Sequence, residues 1–147
     1  MPISEAAVTI PRPVAQVWDF CTCAGNAGVY LPGTIEVELL TDGGLRVGTV
    51  WRGRSRFLGP AISWTGSFTE VEAHRLTVFR SSESPFAFSA ISHFTERDGG
   101  THLTYRMETE AGLGGLFGRL ADPIVEKAYA RALQVGLENL AVVLASD

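Results

Sequence analysis

Residues 122–144 read DPIVEKAYARALQVGLENLAVVL, and the rest of the architecture follows from them. Asp122 and Pro123 have the form of an N-cap followed by proline at the first helical position. Val125, Ala128, Tyr129, Ala132, Leu133, Gly136, Leu137, Leu140, Val143 and Leu144 then recur at helical spacing. Glu126, Lys127, Arg131 and Glu138 fall largely off that stripe. A helix from Pro123 to Leu144 spans ~33 Å at ~1.5 Å per residue. It starts at Pro123, or near Leu116 with Pro123 as a kink. One apolar stripe on one long helix requires an apolar partner surface.

The preceding sequence supplies that surface as strands. Thr34 to Leu40, Arg46 to Phe57, Ala61 to Glu72, Arg75 to Ser81, Pro85 to Thr95 and Thr101 to Glu110 each alternate or carry strand-forming residues. Asp42-Gly43-Gly44, Leu58-Gly59-Pro60 and Arg97-Asp98-Gly99-Gly100 separate them as turns. Such short connections predict an antiparallel meander, because parallel crossovers need helices between strands. Upstream, Glu5 to Ile10 reads as a first strand ended by Pro11 and Pro13. Pro13 to about Thr22 reads as a short amphipathic helix, and Ala24 to Ala27 as a second short helical piece. The fold class is therefore α+β: a first strand, two short helices, six more strands and a long C-terminal helix. A curved antiparallel sheet wrapped around that helix leaves a space between them, the expected pocket. Gly112, Gly114, Gly115 and Gly118, set among Leu113, Leu116 and Phe117, read as a lid or hinge at its mouth.

Composition narrows the function classes. The chain has 147 residues, 46% hydrophobic and 19% charged, with net charge −4. One domain over 1–147 is expected, and the apolar content is enough to offset ordering entropy. The acidic balance speaks against a general nucleic-acid binder. The N-terminus has no basic region followed by an apolar run, and no stretch approaches a membrane span, so a cytoplasmic protein without stable membrane insertion is expected. Cys21 and Cys23 build no disulfide framework. No His, Asp and Cys grouping has metal-ligand spacing, so neither metal nor cofactor is expected. No heptad fixes the oligomeric state, leaving a monomer or homodimer.

Several motifs in order resemble a known family. They are Val8-x-Ile10-Pro11-x-Pro13-x-x-x-Val17-Trp18, Pro32-Gly33-x-x-x-Val37, Gly43-Gly44-x-x-x-Gly48-Thr49-x-Trp51, Gly99-Gly100-Thr101-x-Leu103-Thr104-Tyr105 and Leu137-x-x-Leu140. Together they resemble the polyketide cyclase/dehydrase branch of the START-like (Bet v 1-like, SRPBCC) superfamily, over nearly the whole chain. The resemblance implies the helix-grip fold with a hydrophobic cavity between sheet and helix. Its members include aromatase/cyclases and binders of hormones and lipids. The aromatase/cyclases commonly carry a Trp after the short helices. Here that stretch is Asn26-Ala27-Gly28-Val29-Tyr30-Leu31, with Tyr30 as its aromatic.

Strand parity names the candidate residues. Trp51 faces inward opposite an arginine face of Arg46, Arg52 and Arg54. Trp64 and Phe68 share a face, as do Phe86, Phe88 and Ala90, and Leu103, Tyr105 and Met107. Leu76, Val78 and Arg80 share one side of their strand. With Leu76 and Val78 inward, Arg80 faces the cavity, where a guanidinium holds an anionic or enolate-like oxygen; the alternative is that Arg80, near the strand end, reaches solvent. The expected ligand lining is thus Trp51, Trp64, Phe68, Val78, Phe86, Phe88 and Met107. The expected catalytic groups are Arg80, Tyr105 and Tyr30, the phenols acting as proton donors or orienters. His93 lies on the opposite face unless a bulge shifts it. The leading function is a polyketide-type cyclase or dehydratase that folds a hydrophobic chain in the cavity. The alternative is a non-catalytic carrier or sensor of a hydrophobic ligand such as a lipid or isoprenoid. A filled core with a partner surface around Leu113, Leu116 and Phe117 is a third.

Overall fold

The computed structural model describes residues 3–56, 60–109 and 123–145, with side chains from 126 onward in the last segment. The elements in chain order are strand β1 (Ile3–Ile10), helix α1 (Val14–Cys21), a 3₁₀ turn (Ala24–Val29), β2 (Thr34–Leu39), β3 (Val50–Ser55), β4 (Ile62–Glu72), β5 (Leu76–Glu83), β6 (Phe88–Arg97), β7 (Gly100–Thr109) and helix α2 (Pro123–Ala145). The seven strands form one antiparallel sheet in the order β1-β7-β6-β5-β4-β3-β2. It curves as a half-barrel around α2. The expected α+β helix-grip architecture is the one observed. The Gly112–Gly118 lid and an earlier start of the helix lie outside the described residues.

Local chemistry explains the elements. Pro13 precedes α1 with φ −59°, and its carbonyl accepts from Gln16 and Val17 N–H at 3.0 and 3.2 Å. Val17, Trp18 and Cys21 are the buried face of that helix. Between β6 and β7 the two-residue loop Asp98-Gly99 has φ 52° and 80°. An Asp-Gly pair with both residues left-handed matches the twist of a tight hairpin. In α2 the stripe Leu133, Leu137, Leu140 and Leu144 is fully buried against Ile10, Val17 and Leu103. The edge of β1 is also closed by α2. Gln134 Nε2 donates to Ala7 O at 2.8 Å, and Ala7 N–H donates to Gln134 Oε1 at 3.2 Å. A side-chain amide thereby fills the place of a neighbouring strand and protects an exposed edge. Arg12 joins the end of α2 to the start of α1, donating from Nε to Leu144 O at 2.8 Å.

Candidate functional site

The concave face is built from paired residues in register, which share a side of the sheet. One row runs Phe68, Phe79, Ala90, Met107 and Ser4 across β4, β5, β6, β7 and β1. The adjacent row runs Val71, Thr77, Ser92, Tyr105 and Ala6. On β3 and β4, Trp51 faces Gly66 and Gly53 faces Trp64. These glycines make room for rings: a Cβ on Gly66 would sit 2.6 Å from the Phe79 ring, and one on Gly53 would overlap the Trp64 indole.

Phe79 is the hub of the aromatic end. Its ring centroid lies 5.1 Å from Phe68, 5.7 Å from Trp64, and 6.2 Å from both Trp51 and Phe88. Trp51 and Phe68 meet edge-to-face at 4.9 Å. Trp64 donates its indole N–H to Ser55 Oγ at 3.0 Å, so this buried polar atom is satisfied. The result is an apolar aromatic wall.

The other end carries phenols from three separate elements. Tyr30, following the 3₁₀ turn, and Tyr105, on β7, are each 6% exposed, with ring centroids 6.3 Å apart. The Tyr30 hydroxyl donates to Cys21 O at 2.9 Å, which fixes the ring. The Tyr105 hydroxyl has no hydrogen-bond partner among the described residues, and neither do the hydroxyls of Thr77 and Ser92 in its row. Burial holds both phenols well above the ordinary tyrosine range. The nearby Cys21 and Tyr105 add to this for Tyr30, and Tyr129 of α2 adds to it for Tyr105. Tyr129 is itself raised by burial. All three phenols therefore stay protonated and neutral. Among the described residues no charged side chain is buried, and no group of three or more His, Cys, Asp or Glu could hold a metal ion.

Most of the expected lining comes together here. Trp51, Trp64 and Phe68 are buried, while Phe88 and Met107 pack half-buried against the same core. Phe86 lies just before β6, 6.1 Å from the Phe88 ring. Tyr30 and Tyr105 face each other. His93 is exposed on the outer face.

Strand β5 corrects the expected facing of two residues. Leu76 and Val78 are buried, but they pair with His93 and Ile91 on the convex side and stand outside the core cluster. Arg80 follows them outward, exposed between Ser67 and Ser89. Phe79 takes the inward position instead. Four consecutive buried residues, Leu76 to Phe79, erase the period-two signal that normally assigns a face. The one available clue was Gly66 on the neighbouring strand, which leaves space for a ring. In the sequence Tyr129 is one position of the helical stripe, with nothing to set it apart.

A family model described as polyketide cyclase / dehydrase and lipid transport matches residues 1–145. The chain belongs to that family. Solved structures similar to this polyketide cyclase / dehydrase family chain agree on the fold. A protein of Thermus thermophilus superposes with TM-score 0.81 at 22% identity, covering 99% of each chain. The Zhui aromatase/cyclase from Streptomyces sp. R1128 gives TM-score 0.72 at 23% identity, covering 98% of this chain and 93% of that one. The di-domain aromatase/cyclase BexL gives TM-score 0.63 at 18% identity, covering 94% of this chain and 47% of that one. No curated protein matches. At these identities the likeness establishes the fold, which suits the binding of a hydrophobic molecule. No helix among the described residues is long and apolar enough to cross a membrane.

Proposed function

We propose that the chain binds a hydrophobic, polyketide-like molecule between the concave face and α2 and directs its cyclisation or dehydration. The observation that carries this reading is Tyr105: a phenol 6% exposed, beside an aromatic wall, with a hydroxyl that no described group engages. The wall of Trp51, Trp64, Phe68, Phe79 and Phe88 holds a reactive chain folded, which favours one ring closure over others. Tyr105 O–H then donates to a carbonyl oxygen as negative charge develops there, while Tyr30 orients the ring of Tyr105. The similarity to the Zhui and BexL aromatase/cyclases supports the same direction. Arg80, exposed on the convex face, has no place in this step.

The carrier reading has its own support. No described charged side chain is buried to act as a base, and His93 points away. Incubation with a reactive poly-β-ketone, followed by mass spectrometry of the products, separates the two. A cyclase shifts the products toward one ring pattern, and Tyr105→Phe reduces that shift by about a hundredfold while the protein still binds. Products identical with and without protein, together with intact binding, leave the carrier.

A further inference from the structure

The two faces of the sheet differ in charge. Every arginine on β3, β5 and β7 is exposed or half-buried on the convex side: Arg52 with Glu38, Arg54 with Glu36 at 3.8 Å, Arg106 with Glu108 at 2.7 Å, and Arg80 beside Ser67. On the concave side the buried polar groups are neutral. Thr77, Ser92 and Tyr105 lie next to one another on β5, β6 and β7, with Tyr30 against Tyr105. On the turn of α2 that leads to Tyr129, Lys127 is exposed and Glu126 is half-buried. The hydroxyl row and the row that holds Phe79 are two residues apart along β5, β6 and β7, ~7 Å.

We propose that the ligand is neutral: a flat hydrophobic molecule whose body lies on the Phe79 cluster and whose hydroxyl or carbonyl oxygen, ~7 Å away, meets the row Thr77, Ser92 and Tyr105, while carboxylates are rejected. This rests on the reading of the concave face as a ligand site. A hydroxyl row offers donors and acceptors to an uncharged oxygen at no electrostatic cost. A carboxylate placed there loses its water and gains no cation from the described residues, which is strongly unfavourable. The buried phenols remain protonated, so they present O–H groups and add no second charge.

Equilibrium dialysis of the full chain near neutral pH against naphthalene, naphthol and naphthoic acid tests this. Naphthol is expected to bind about fivefold more tightly than naphthalene, one neutral hydrogen bond's difference. It is expected to bind at least about tenfold more tightly than naphthoate. Tyr105→Phe and Thr77→Val, each close in shape to the original, are expected to bring naphthol down to the naphthalene level and leave naphthalene unchanged. Naphthoate bound as tightly as naphthol, or naphthol affinity unmoved by both variants, overturns the proposal while leaving a binding face in place. No binding of any of the three overturns the ligand site itself, and the proposal with it.

Discussion

Replacing Phe79 with alanine removes the ring that links four other aromatics. The side chain is 7% exposed, so nearly all of the ~150 Å² or more that a phenylalanine buries is lost from the folded state. At ~25 cal/mol per Å² this is about 4 kcal/mol, in line with the roughly 3–5 kcal/mol that such core truncations cost. Edge-to-face contacts with Trp64 and Phe68 add to the loss, and relaxation of the sheet subtracts from it. With a urea slope of about 2 kcal/mol per M, the unfolding midpoint falls by about 2 M. Tryptophan fluorescence reads it directly, since Trp51 and Trp64 border the deleted ring. Val78→Ala serves as comparison, its neighbouring side chain buried on the opposite face, with an expected loss of about 1–2 kcal/mol. A midpoint lowered by less than about 0.5 M in Phe79→Ala, at unchanged slope, refutes the inward placement of this ring.

Further outcomes follow from single contacts. Tyr30→Phe leaves the Cys21 carbonyl without the donor it has at 2.9 Å, so a loss of about 1–2 kcal/mol is expected in the same urea experiment. No loss would show that another group serves that carbonyl. Gly136→Ala improves helix propensity by up to ~1 kcal/mol, yet its Cβ would overlap the Tyr30 carbonyl group, whose carbon would be 2.9 Å away. Net destabilisation is expected, and a higher thermal midpoint would contradict the close approach of α2. Alkali should also unfold the protein. Burial pushes the Cys21 thiol up to about 12, and Tyr30 and Tyr105 are raised well above their ordinary value by burial first and by their neighbours second. The folded state keeps these protons where the unfolded chain releases them. This stability is complete below the unfolded thiol's value of about 8.5 and is lost as pH rises toward 12. Urea midpoints measured across that window should fall, and Cys21→Ala should flatten the lower part of the fall. A constant midpoint would contradict the burial of these groups.

How much the sequence revealed depended on how clean each pattern was. The long helix was legible because its apolar stripe repeats over six turns and ends in four fully buried leucines. The hairpins were legible because Asp98-Gly99 has the chemistry its backbone needs. Trp51 was placed correctly because arginines alternate with it, and a charge marks the solvent face without ambiguity. Strand β5 carried no such mark. Leu76, Thr77, Val78 and Phe79 are all buried, and which pair faces α2 is decided by packing against Gly66 and Ala90, residues distant in sequence. The meeting of Tyr30 and Tyr105 was equally invisible, since it depends on how the segment after α1 docks across the sheet. That docking uses the Tyr30 to Cys21 hydrogen bond and the close contact with Gly136.

Every functional step above requires that the concave face accept a hydrophobic molecule. Native mass spectrometry of the chain freshly purified from its own host tests it most directly. A stoichiometric, non-covalently bound apolar molecule that denaturation releases is expected. A ligand-free protein that also takes up no flat hydrophobic probe would contradict it, and would mean that α2 and the aromatic wall fill the space between them.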